Sequence, residues 1–152
     1  MPYAITLHLL AAVIWVGGMF LAYVCLRPVA ASILEPPQRL RLWAALFGRF
    51  FRWVWACVLV LIITGHWMIA LYGGFAAVGL HVHLMLVSGY LMMALFAHLY
   101  FAPFRRLQQA VDGADWPGAG QQLNQIRRIV GINLVLGLLT VANAVGGRLL
   151  YG

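Results

Sequence analysis

The sequence predicts an all-α integral membrane protein: an antiparallel four-transmembrane-helix bundle, N-out/C-out, with an amphipathic cytoplasmic or interfacial helix before the second span. Three observations carry that expectation. The 152-residue chain is 64% hydrophobic and 9% charged, with a mean hydropathy of +0.93, which excludes a domain with an ordinary polar surface. Four stretches, Tyr3 to Leu26, Trp53 to Tyr72, Gly79 to Ala102 and Ile129 to Leu150, reach the roughly 20 apolar residues that a helix needs to cross hydrocarbon. All ten basic residues are arginine, and nine of them lie in or beside two connections. Arg27, Arg39, Arg41, Arg49 and Arg52 flank the first connection, and Arg105, Arg106, Arg127 and Arg128 flank the third. The link from Gly73 to Val78 has none, and only Arg148 lies on its side, so the positive-inside rule makes both basic connections cytoplasmic.

Each element has a local reason. The first span follows a start without the basic region of a signal peptide, so it is expected to be retained, and it is expected to stop at Arg27-Pro28. After Pro36-Pro37, Leu40, Trp43, Phe47 and Phe50 recur at helical spacing while Arg41, Ala45, Arg49 and Arg52 take another face. That segment reads as an amphipathic helix at the inner interface or as a cytoplasmic extension of the second span. After the third span, Pro103 is expected to open a short helix ending near Asp112-Gly113. Asp115 and Pro117 then supply a cap and first turn for a helix running through Arg127-Arg128 into the fourth span. The whole reads as a single four-helix transmembrane domain, 1–152. Cys25 and Cys57 fall near the cytoplasmic helix ends, where no disulfide is expected.

The net charge of +7 is a topology signal and not a nucleic-acid footprint. Hydrolytic chemistry is disfavoured too, because the only acids, Glu35, Asp112 and Asp115, all lie in the cytoplasmic connections. The chemistry-bearing residues are histidines. An ionisable side chain in hydrocarbon costs a few kcal/mol and survives where it faces a partner, cavity or cofactor. His8, His66, His81 and His83 all come within about 10 Å of the outer interface. His98 lies near the inner end, level with Cys25, Cys57 and Asn133.

Facing narrows the set. His8, Ala12, Trp15, Met19 and Ala22 form one stripe with Gly18 beside it; His83, Val87, Tyr90, Ala94 and Ala97 form another. His81 points about 200° from His83 and is expected to reach the headgroup zone. Asn133, Gly137, Thr140, Ala144 and Gly147 make a small, polar face on the fourth span. Periodicity leaves His66 open, as a ligand or as an interfacial side chain beside Trp67.

Two imidazoles from separate helices at equal depth suit haem b, with His8 and His83 as the axial pair. Trp15, Gly18 and Tyr90 would line that pocket and Arg148 would hold the propionates, in a protein of electron transfer or redox chemistry linked to metal homeostasis. An enzyme of this kind would be a membrane oxidoreductase. Copper is the alternative occupant, using the same histidines with Met19, Met68, Met85, Met92, Met93, Cys25 and Cys57. His98 marks either a second metal or quinone site or a hydrogen bond to Asn133 or backbone. A third reading is an assembly subunit whose histidines only bridge helices. Expected partners are the lipid bilayer and a periplasmic redox protein, copper carrier or quinone, with a homodimer left open and no nucleic acid.

The run Leu7-His8-Leu9-Leu10-Ala11-Ala12-Val13-Ile14-Trp15-Val16-Gly17-Gly18-Met19-Phe20, the Leu26-Arg27-Pro28 stop, Leu80-His81-Val82-His83, and Ala97-His98-Leu99-Tyr100-Phe101 through Arg105-Arg106 resemble the CopD-like family of bacterial inner-membrane proteins. The resemblance spans nearly the whole chain. It implies copper resistance or uptake, a multi-pass inner-membrane location with both termini periplasmic, and metal handling by His8, His83 and His98. A first helix with His8, then Trp15, then Gly18 is also similar to that of HemJ-type protoporphyrinogen oxidases, which bind haem. Their third helix resembles His81-Val82 followed by Lys, where this chain has His83.

Overall fold

The computed structural model describes residues 1–151 and contains four long helices: α1 (Pro2–Ile33), α2 (Pro36–Leu71), α3 (Leu80–Asp112) and α4 (Trp116–Tyr151). All four are long and apolar enough to cross a membrane, and no strand occurs among the described residues. The chain is a multi-pass membrane protein. Short connections reverse its direction three times, so both termini and the 72–79 link share one end and the arginine-rich connections share the other. α1 packs chiefly on α2 and α3 chiefly on α4, with α4 also touching the first pair.

Two helices run past their expected ends. α1 does not stop at Arg27-Pro28 but continues to Ile33, and Pro103 lies inside α3 without opening a new helix. A single π-helical turn precedes or encloses each proline, over Leu21–Leu26 and over Tyr100–Phe104. In α1 the Arg27 N–H reaches back five residues to the Ala22 carbonyl, and Pro28 then occupies the first turn of the resumed helix. A proline there has no hydrogen bond to lose, and the widened turn relieves the ring's clash with the preceding carbonyls.

α2 is continuous over 36 residues, so the amphipathic segment is an extension of the second span. At about 1.5 Å per residue it exceeds the hydrocarbon thickness of roughly 30 Å. Leu40, Trp43, Phe47 and Phe51 are buried, while Arg41, Arg49 and Arg52 are exposed. In the link after α2, Gly73 and Gly74 adopt φ of 100° and 91°, a region where a side chain would clash. Asp115 caps α4 as anticipated, its Oδ1 accepting the Gly118 N–H at 3.1 Å.

Packing divides the bundle into two halves. The half toward the arginines is filled with rings centred on Phe51, which stacks on Phe47 at 4.9 Å and meets Phe104 and Phe96 edge-on at 4.9 and 5.4 Å. Buried Asn133 joins α4 to α3 there by donating from Nδ2 to the Met92 carbonyl at 3.1 Å. The half toward the termini holds a cavity.

Candidate functional site

The cavity has a volume of about 290 Å³ and draws its walls from all four helices. That is near the lower end of the range for small-molecule sites. Its walls are apolar except for a few groups: His8, His66, Tyr72, Tyr90 and Thr140, with the sulfurs of Met68, Met85, Met92 and Met93. Trp15 closes the floor, its ring edge-on to Phe96 at 6.1 Å.

The hydrogen bonds fix the protonation pattern of both imidazoles. Thr64 Oγ1 donates its single proton to the Val60 carbonyl at 2.6 Å and therefore accepts from His8 Nδ1–H at 2.8 Å. The proton of neutral His8 thus sits on Nδ1, and Nε2 keeps its lone pair. Gly65 lets the ring lie close to α2, since a Cβ there would come within 3.4 Å of His8 Cε1. His66 Nδ1–H donates to the Ile62 carbonyl at 2.9 Å, because a carbonyl can only accept. Its Nε2 accordingly accepts from the Tyr90 hydroxyl at 3.1 Å. Both rings are held by a partner at Nδ1, the arrangement that orients metal-binding histidines, and a metal at His66 Nε2 would displace the Tyr90 hydroxyl.

His8, His66, Trp15 and Tyr90 are therefore brought to one cavity, together with four of the methionines singled out for copper. The other candidates lie elsewhere. Val82 lines the cavity, so His81 and His83, each about 100° from it on the helix, turn to either side. His83 Nδ1–H donates to the Gly79 carbonyl of its own helix at 3.1 Å, and His83 is not among the cavity's lining residues. His81 does not reach for the headgroups: it packs on α4, where a Cβ on Gly147 would lie 2.9 Å from its own Cβ. Its carbonyl accepts from Asn143 Nδ2 at 2.8 Å, and its Nδ1 is buried without a partner.

Gly18 lies outside the cavity lining and makes room for the Phe50 ring, which a Cβ there would clash with. Arg148 is exposed and outside the lining, as is His98, and Asn133 bonds Met92 in place of His98. Cys25 and Cys57 are free thiols, one exposed and one buried. Among the described residues no three His, Cys, Asp or Glu side chains converge. An ion in the cavity would therefore be held by two imidazoles and thioethers.

Thr64, the hydrogen-bond partner of His8, is the residue sequence reasoning passes over, and its signal is slight: a hydroxyl at the depth of His8 in an otherwise apolar span. Met85 and Met93, already copper candidates by residue type, also share a helical stripe with Val82, Leu86, Gly89 and Tyr90.

A search of curated proteins and of solved structures returned no match to the chain. The family model described as copper resistance protein D matches residues 44–146, more than half of the sequence and all of the cavity's walls from α2, α3 and α4. The chain belongs to the copper resistance protein D family.

Proposed function

We propose that the chain binds copper inside the bilayer, as Cu(I), in the cavity between the four helices, and that this binding serves copper movement through the membrane. The observation that carries the reading is the donor set that lines one cavity: the imidazoles of His8 and His66 with the thioethers of Met68, Met85, Met92 and Met93, within apolar walls. Sulfur ligands suit Cu(I), and imidazole accepts it as well. A carboxylate, which would favour harder cations, is absent from the lining. The arginine distribution supports an inner-membrane orientation with the cavity on the periplasmic side, where a copper carrier would meet it.

Haem b is the second reading, favoured by one observation: two imidazoles from different helices, each held at Nδ1, line one cavity, and an axial pair requires two such rings. The pair would be His8 with His66. Against it, no arginine lines the cavity to hold propionates.

Anaerobic Cu(I) titration of the detergent-purified protein against a chromogenic chelator tests the proposal. About one Cu(I) per chain is expected, with His8→Ala and His66→Ala each lowering affinity more than tenfold, the scale set by weaker outer-shell losses. His83→Ala and His98→Ala should bind as wild type. A Soret band in the purified protein, lost in His8→Ala and His66→Ala, would replace copper with haem. Failure to bind Cu(I) would sink the reading.

A further inference from the structure

We infer that the arginine-rich end carries a built site for a phosphate group, held between α1, α2 and α4 by Arg27, Arg39, Arg127 and the Trp43 indole. The site stands apart from the copper reading, since it shares no residue with the cavity.

Four observations converge on it. A niche of about 10 Å³, room for roughly one water-sized atom, is lined by Tyr23, Arg27, Trp43 and Arg127. Two donors there have no acceptor: Trp43 Nε1, on a residue only 3% exposed, and Arg127 Nε, both fully shielded from solvent. The charged side chains acting on the Arg127 guanidinium are Arg27 and Arg39, both cations, with no carboxylate among them. Arg27 is fixed from behind by lying over the Tyr23 ring at 5.0 Å, and Arg127 by a 3.4 Å bond to Asn124 Oδ1.

Three cations gathered from three helices repel one another. A buried N–H group without an acceptor is also unfavourable, because it has given up its hydrogen bonds to water. One anionic oxygen in the niche removes both penalties, accepting from Nε and the indole while its charge offsets the guanidiniums. Phosphate fits because its remaining oxygens stay outside the niche, where Arg27 shares the lining and Arg39 adds positive charge, and guanidinium forks match its geometry. The niche lies near the residues that end the apolar part of α1, the level of lipid headgroups. An acidic phospholipid and free phosphate are thus the two sources of one ligand chemistry.

The experiment compares wild-type protein in detergent with added phosphatidylglycerol, phosphatidylcholine or inorganic phosphate, reading retained lipid by native mass spectrometry and thermal stability in parallel. Phosphatidylglycerol should be retained about tenfold better than phosphatidylcholine and should raise the unfolding temperature. A like rise with inorganic phosphate alone would assign the site to the soluble ion. Arg127→Lys keeps the charge but lacks Nε, and should lose about tenfold of the preference, the scale of one charge-assisted hydrogen bond. Trp43→Phe should lose a comparable share, and the exposed Arg105→Gln almost none. Equal retention of both lipids with no response to phosphate would overturn the site. Full binding by Arg127→Lys would also overturn it, because diffuse attraction needs only charge. The wild-type lipid comparison stands even if a variant fails to fold.

Discussion

Thr64→Val removes one hydroxyl and leaves the side-chain volume almost unchanged, yet the copper reading makes it one of the most damaging substitutions in the chain. The hydroxyl accepts the Nδ1 proton of His8 at 2.8 Å because its own proton is committed to the Val60 carbonyl. Without it, the ring either leaves a donor stranded among apolar groups, at about 1–3 kcal/mol, or moves its proton to Nε2 and loses the lone pair that would bind metal. Removal of an outer partner from a metal-binding histidine lowers affinity about 10–100-fold. At about 1.4 kcal/mol per tenfold, the two routes to the magnitude agree. Competitive Cu(I) titration in detergent measures it, and Thr64→Ser, which keeps the acceptor, should restore most of the affinity. A Thr64→Val protein that folds and binds Cu(I) within twofold of wild type would refute the claim that the Nδ1 bond orients His8.

Three further outcomes concern the scaffold. Phe51→Ala opens a hole among five rings at a residue only 2% exposed. It should cost about 3 kcal/mol, the low end for such a truncation, because lipid in place of water leaves packing as the main loss. Thermal unfolding in detergent reads this, with Cu(I) affinity unchanged in the folded fraction. Gly18→Ala should destabilise by about 1–3 kcal/mol, since its Cβ would run into the Phe50 ring, whereas Gly17→Ala, with nothing within 4 Å, should be neutral or slightly stabilising. Equal effects of the two would contradict the close approach of α1 and α2. Asp115→Ala should cost about 1 kcal/mol and speed amide exchange in the first turn of α4, with Asn at that position rescuing the cap.

The bundle was legible because lipid imposes a coarse requirement: each span must be apolar for about 20 residues, and arginine marks one set of ends. The helix ends near Pro28 and Pro103 were less legible, since a proline signals a break unless a wider turn absorbs it, and no residue type announces a π turn. The site was half legible. Counting along the spans puts His8 and His66 at a common level, and both line one cavity. Facing did not follow, because spans apolar all round show little periodic contrast. The small residues of the His83 stripe suggest a cofactor face, but the wall of the cavity runs along Val82, Met85, Gly89 and Met93, beside that stripe. His66 stayed undecided for want of its partner, Tyr90, which is 24 residues away in sequence and adjacent only after folding.

The wide turn at Leu21–Leu26 sets the azimuth of everything that follows it in α1. One surplus residue amounts to about 100° of rotation, so it steers Arg27 without moving His8, which lies upstream. Deleting a residue there would return the segment to ordinary pitch and swing Arg27 away from α4. Single-residue gains and losses at that spot thus let the arginine end be retuned while the imidazole end keeps its geometry, giving one helix two independently adjustable halves.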